Sequence, residues 1–221
     1  MIAPNMATML GYMCTDAGIA APLLQQMLSA VNTRTFNGIT VDGDTSTNDM
    51  VLLLANGASG APEIIRGTTE EIIFIEHLES VARHLAQSIV RDGEGASKFV
   101  SITVRGAASD IDADIAARSV AQSSLVKTAI HGEDANWGRI AAAVGYSGIA
   151  FDPAAMEIKI GDVVVLAPPY RAEFSEALAK ATLSQTDVTI TVDLHAGPGE
   201  ATLWTCDLSK EYVHINASYR S

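Results

Sequence analysis

Six consecutive apolar residues, Met50-Val-Leu-Leu-Leu-Ala55, follow directly on the polar loop Gly43-Asp-Thr-Ser-Thr-Asn-Asp49. An apolar run this short, bounded by turn residues, reads as a strand, and one without polar alternation is buried on both faces. Thr8 to Cys14, also short and rich in bulky apolar residues, reads the same way. Between them Pro22 suits a first helical position, and Leu24, Met27, Leu28 and Val31 follow at helical spacing up to a stop near Asn37-Gly38. Ile39 to Asp42 is expected to be a short strand. Strands alternating with helices put the chain in the mixed α/β class. The 43–49 loop admits two readings: a binding site feeding a buried strand, or a turn held by Asx and Ser/Thr hydrogen bonds.

Thr68 with Glu71 three residues on is a capping-box signature. The helix after it is predicted over 69–90, with Ile72, Ile75, Leu78, Ala82, Leu85 and Ile89 as its buried stripe. His77 and His84 lie on roughly one face of this helix, but a metal pair more often uses i, i+4 spacing. With no further ligand cluster in the sequence, no metal and no cofactor is expected. Arg91-Asp-Gly-Glu-Gly-Ala-Ser-Lys98 ends the helix. Its two glycines permit close backbone approach to a ligand, or simply a helix cap and turn.

Phe99 to Arg105 alternates as a half-buried strand, and 109–122 is helical with Ile111, Ile115 and Val120 inward. Leu125 to Ile130 is expected to be a strand, then a dense polar loop from His131 to Arg139, then a helix from Ile140. Arg139 can hold a carboxylate bidentately; an ordinary structural ion pair is the simpler reading. A hairpin is predicted at Ile158–Val165 about Gly161-Asp162, a helix over 173–183, and strands over 188–194 and 201–206.

The net charge of −12 argues against nucleic acid or an anionic membrane surface as partner. Cys14 and Cys206 make no disulfide framework, which suits the cytoplasm. No apolar run reaches the roughly 20 residues of a membrane span, and no basic region precedes an apolar stretch as in a signal peptide.

The stretch with most chemistry is Pro4-Asn-Met-Ala-Thr-Met-Leu10. Alone, Ala7-Thr8 is simply the start of a strand. Were the bond between them cut, Thr8 would carry a hydroxyl nucleophile and a free α-amine. Such an amine has a pKa of about 8, against about 10.4 for lysine, so near neutral pH it can take the hydroxyl proton.

Met1-Ile-Ala-Pro-Asn-Met-Ala-Thr-Met-Leu10 resembles the self-cleavage site of the ornithine acetyltransferase family of arginine biosynthesis. The resemblance continues through the 44–57 stretch, Asp92–Lys98 and Leu125–Tyr146, and to the tail Glu211-Tyr-Val-His-Ile-Asn-Ala-Ser-Tyr-Arg-Ser221. It implies autocatalytic cleavage at Ala7–Thr8, with Thr8 then the nucleophile that passes acetyl from N-acetylornithine to glutamate by a ping-pong route; some members also use acetyl-CoA. It places Glu94 in the substrate site with Asn216 and Ser221. Ser97 and Ser221 stand where the family has threonine, each keeping the hydroxyl.

The family pattern begins earlier, with a Lys-Gly-Ser-Gly-like stretch, so 1–7 is expected to be the end of an α chain whose bulk, with the oxyanion donors, lies upstream. Residues 8–100 would complete a layered αββα core with that chain, 101–207 would form a smaller α/β domain, and 208–221 would return to the active site. An α2β2 heterotetramer is implied. The alternatives are a self-processing aminopeptidase or amidase with water as acceptor, and an inert half that only assembles.

Overall fold

The computed structural model describes residues 1–3 and 9–218. It is mixed α/β, and it divides into two compact units, Met1–Ile89 and Val90–Ser221. The expected division after residue 100 would have cut a strand.

In the first unit, β1 (Leu10–Thr15) and β2 (Met50–Ala55) pair in parallel, from Leu10 opposite Met50 to Thr15 opposite Ala55. The crossover between them contains α1 (Ala21–Arg34), with a proline in its first turn, and a 3-10 turn at Phe36–Gly38. Met27, Val31, Phe36 and Ile39 are buried. The inward face of β1 includes Gly11, where an added Cβ would stand 3.3 Å from the Phe36 ring. The outward face carries Leu10, Tyr12, Met50, Leu52 and Leu54, all exposed. Burial on both faces, expected from the unbroken apolar runs, is therefore met on one face only.

Of the expected strand at Ile39–Asp42, only Ile39 makes a β-bridge, and no strand forms there among the described residues. Thr40 and Asp42 accept hydrogen bonds from the backbone of Gly43 and Asp44, which turns the chain just beyond that bridge. Helix α2 (Thr69–Arg91) starts at its expected residue. The Glu71 amide donates to Thr68 Oγ1, and Glu71 Oε2 reaches back to the Gly67 amide at 2.5 Å. Leu78, Ala82, Ala86 and Val90 are buried, whereas Ile72, expected in the stripe, is exposed.

The second unit is built on a five-stranded sheet, ordered β5-β4-β6-β3-β7. The strands are β3 (Phe99–Ala107), β4 (Glu157–Ile160), β5 (Val163–Leu166), β6 (Asp187–Asp193) and β7 (Gly199–Cys206). Only β3 and β6 run parallel; the other neighbours are antiparallel. Val100, Ile102 and Val104 of β3 lie in register with Val188, Ile190 and Val192 of β6, and all six are buried. The residues between them point to the other, polar face, where the Thr103 and Thr202 hydroxyls are 2.9 Å apart.

Helices α3 (Asp110–Gln122), α4 (Ser124–His131), α5 (Trp137–Gly145) and α6 (Glu176–Leu183) contribute to the unit's core. α3 lies against β3 and β7 and buries Ala113, Ala116, Ala117, Val120 and Ala121. Ile111 and Ile115, expected inward, are exposed. Only small side chains fit where α3 approaches β7 this closely: a Cβ on Gly199 would fall 2.2 Å from the Ser109 backbone.

The expected strand at 125–130 is helix α4. Ser123 caps it by accepting from the Val126 amide, and its buried residues Val126, Ala129 and Ile130 follow helical spacing. The tail is helical too, as α7 (Lys210–Ser218).

Candidate active site

Ala7 and Thr8 lie outside the described residues, but both flanks of their segment are tied down. Upstream, the Ile2 amide donates to Asp42 Oδ1 at 2.9 Å and the Ile2 carbonyl accepts from Val41 at 2.6 Å. Downstream, the Met9 amide donates to Asp49 Oδ1 at 2.6 Å and the Met9 carbonyl accepts from Met50 at 2.9 Å. One stretch, 41–50, thus holds both ends.

The polar loop contains the local hydrogen bonds of a turn, such as Ser46 Oγ to Asn48 Oδ1 at 2.8 Å. It also carries something a plain turn does not need. Asp49 Oδ2 is enclosed and has no hydrogen-bond partner. Burial pushes the Asp49 carboxyl up, against the lowering effect of the Met9 amide.

In the second unit, Glu94 and Asn216 come together. Asn216 Nδ2 donates to Glu94 Oε2 at 2.8 Å and to the Tyr212 carbonyl at 3.0 Å, which uses both amide hydrogens. Both residues are exposed. A carboxylate beside an amide offers a cationic amino group its counter-charge and a polar neighbour. Ser221, expected at the same site, lies outside the described residues.

Glu94 sits in a turn closed by the Ala96 amide on the Gly93 carbonyl at 3.0 Å. Gly95 has φ +66°, a backbone conformation that favours glycine. A Cβ there would also strike the Tyr212 nitrogen at 2.5 Å and Ser209 Oγ at 2.8 Å. Gly95 therefore lets the turn rest on the first turn of α7. Ser209 fastens the contact, donating to the Gly95 carbonyl at 2.6 Å and accepting from the Tyr212 amide at 3.3 Å.

Asp207 is the hub beneath. Its Oδ1 accepts from the amides of Ser97 and Lys98 at 2.8 and 2.9 Å. Its Oδ2 accepts from Ser97 Oγ at 2.6 Å and lies 2.7 Å from His131 Nδ1. Lys127 anchors the preceding residues, its buried ammonium donating to Thr205 Oγ1 at 2.9 Å and the Cys206 carbonyl at 2.6 Å. The sequence reading missed this hub. Its available signal was Asp207 just past a strand end with Ser209 at a helix-cap position, hidden while 208–221 was read as a tail.

Burial pushes the Asp207 carboxyl up, but the Ser97 hydroxyl, His131 and the two amides outweigh it and hold it below the ordinary range. Its folded pKa is thus below its unfolded value of about 3.9. The stabilisation is complete above that pH and is lost as pH falls through the folded value. Thermal melts between pH 6 and 3 should show a smaller acid loss for Asp207→Asn than for the parent; parallel slopes would contradict the assignment. At neutral pH, Asp207→Ala should cost on the order of 3 kcal/mol, since it strands two backbone amides.

Among the described residues Arg139 makes neither the ion pair nor the carboxylate clamp considered from sequence. Its Nη1 donates to the Leu125 carbonyl at 2.8 Å and to Thr128 Oγ1 at 3.3 Å, tying α5 to α4. His77 lines a mostly apolar cavity with Met13, Leu53, Phe74 and Leu78. Among the described residues no group of three or more His, Cys, Asp or Glu is placed to hold a metal ion.

The whole chain, residues 1–221, matches the family model described as ArgJ family. It is 56% identical over 221 residues to an arginine biosynthesis bifunctional protein ArgJ of Chlorobium chlorochromatii, and 52% identical to one of Symbiobacterium thermophilum. These alignments cover 100% of this chain but 51% and 55% of those proteins, so the chain spans about half the length of the curated relatives it matches. Its fold superposes on the crystal structure of the arginine biosynthesis bifunctional protein argJ from Bacillus halodurans, with TM-score 0.93 and 46% identity, over 96% of this chain and 100% of that one.

Proposed function

The chain belongs to the ArgJ family, and from that premise we propose that it carries the nucleophile and part of the amino-acid site of an acetyltransferase of arginine biosynthesis. The donor is N-acetylornithine and the acceptor glutamate. The observation that carries the reading is the Glu94–Asn216 pair, which joins two residues of one expected substrate site across 122 positions of chain.

The proposed sequence of events begins with cleavage. Thr8 Oγ attacks the Ala7 carbonyl carbon, and the C–N bond breaks to leave an ester and a free Thr8 amine. Water then hydrolyses the ester. In transfer, Thr8 Oγ attacks the acetyl carbonyl while its proton passes to the Thr8 amine. The acetyl–nitrogen bond breaks, the proton goes to the departing amine, and ornithine leaves. The glutamate amine attacks the acetyl-threonine and restores the Thr8 hydroxyl.

The segment of the relatives that precedes this chain is proposed to supply the oxyanion donors and to remain as the α chain of an α2β2 assembly. No helix among the described residues is long and apolar enough to cross a membrane.

Glu94 is proposed to hold a charged amine of the substrate. A charge-assisted hydrogen bond contributes about 1.5–3 kcal/mol, so Glu94→Gln should raise the KM for N-acetylornithine roughly 10- to 100-fold. Cleavage before Thr8, followed by intact mass, should be unaffected. An unchanged KM would refute the role.

A further inference from the structure

We propose that Asp207 and Ser97 are positioning residues for the amino-acid site: their clamp on the turn after α2 holds the Glu94 carboxylate where the substrate amine meets it. The inference rests on the acetyl-transfer reading and adds two residues to it.

Among the described residues the Glu94 side chain has one hydrogen-bond partner, Asn216, at 2.8 Å. Asn216 lies near the end of α7, a helix that buries no side chain, so it is a poor anchor by itself. The place of the turn is set through its backbone instead. One short stretch, Asp207-Leu208-Ser209, holds that backbone at three residues. Ser209 Oγ donates to the Gly95 carbonyl at 2.6 Å. Asp207 Oδ1 accepts from the amides of Ser97 and Lys98 at 2.8 and 2.9 Å, and Oδ2 accepts from the Ser97 hydroxyl at 2.6 Å. The Asp207 amide closes the pairing on the Lys98 carbonyl at 3.3 Å.

Ser97 thus meets both oxygens of one carboxylate, through its amide and its hydroxyl. A two-point contact of this kind fixes orientation as well as distance. The Asp207 side chain is fully buried, so water does not compete for these bonds. The carboxylate is itself held from α4. His131 Nδ1 lies 2.7 Å from Oδ2, and the Leu208 amide donates to the Lys127 carbonyl at 3.3 Å. Binding residues must be held within about 0.5 Å of their productive geometry by the groups behind them. Gly95 and Ser97 follow directly on Glu94 in the chain, so the clamp fixes the backbone that carries it. Asp207 and Ser97 touch no substrate; both act through Glu94.

The test uses the chain at the full length of its relatives. Ser97→Ala removes the hydroxyl and keeps both amides, Ser97→Thr keeps the hydroxyl, and Asp207→Asn replaces one acceptor oxygen by a donor. In Ser97→Ala and Asp207→Asn proteins that melt like the parent, KM for N-acetylornithine should rise about tenfold, the order set by one hydrogen bond to a charged group. In both, kcat should stay near the parent's, and Ser97→Thr should match the parent in KM. Because Ser97 acts through Glu94, the double variant Ser97→Ala with Glu94→Gln should have a KM no higher than Glu94→Gln alone. A parent-like KM in folded Ser97→Ala overturns the proposal, as do effects that multiply in the double variant while Glu94→Gln alone raises KM. If Glu94→Gln alone leaves KM unchanged, the amine-holding role of Glu94 fails, and this proposal with it.

Discussion

Replacing Thr8 by alanine is expected to abolish both cleavage and acetyl transfer. The two reactions share one atom. In the proposed mechanism Thr8 Oγ attacks the Ala7 carbonyl in the first and the acetyl carbonyl in the second. Without that oxygen the Ala7–Thr8 bond stays intact, and the nitrogen that should act as base remains an amide. Loss of nucleophile and base together should lower transfer on the order of 10⁶-fold, the scale seen when a hydrolase loses its nucleophile. Thr8→Ser keeps the oxygen and should retain a measurable part of both. Intact mass gives the first result and ornithine release the second. Full transfer by a folded Thr8→Ala protein would falsify the assignment.

The second large effect concerns the 221-residue chain made by itself. We expect it to release no ornithine and to self-associate. By resemblance the oxyanion donors belong to the preceding segment, and losing one such donor costs about 10²- to 10³-fold. The first unit gives an independent reason. Parallel strands are normally covered on both faces, and two strands alone are marginal in water. Here one face of the β1–β2 pair is open, with Leu10 58%, Tyr12 55% and Leu54 55% exposed. An apolar surface of this kind seeks a partner. Supplying the N-terminal half in one continuous chain should restore cleavage, transfer and a single defined assembly. Light scattering and an ornithine assay decide it, and ornithine release by the isolated chain would overturn it.

Much of the fold was legible because side-chain period and strand length agree along most of the chain. The β4–β5 hairpin about Gly161-Asp162 and the start of α2 at its capping box were readable from local chemistry alone. Two of the readings that the structure overturns show the physical reason most plainly. In α3, helical spacing puts bulky Ile111 and Ile115 inward, but the close approach to β7 gives the buried face to four alanines and Val120. In α4, the short apolar run reads as a strand, and the Ser123 cap that makes it a helix is a weak signal in sequence.

Glu94 stands out through a short motif, and the structure sets it beside Asn216. The site was not legible where it depends on long-range contact. Asp207 is one aspartate among many until Ser97, Lys98 and His131 converge on it from more than 70 positions away. Asp49 belongs to a loop whose polar character was plain. Its enclosed, unpaired oxygen appears only in three dimensions.

The separation of Glu94 and Asn216 along the chain also sets a clock on synthesis. A ribosome adds about 5–20 residues per second, so the 122 positions between them take roughly 6–25 s to make. Glu94 therefore emerges long before its partner exists. β7, which completes its side of the sheet, and α7, on which the turn rests, are also still to come. If the pair holds the substrate as proposed, the nascent chain cannot bind the amino acid through it, and that ligand cannot assist the early stages of folding. The pair can close only when the last helix has been released from the exit tunnel.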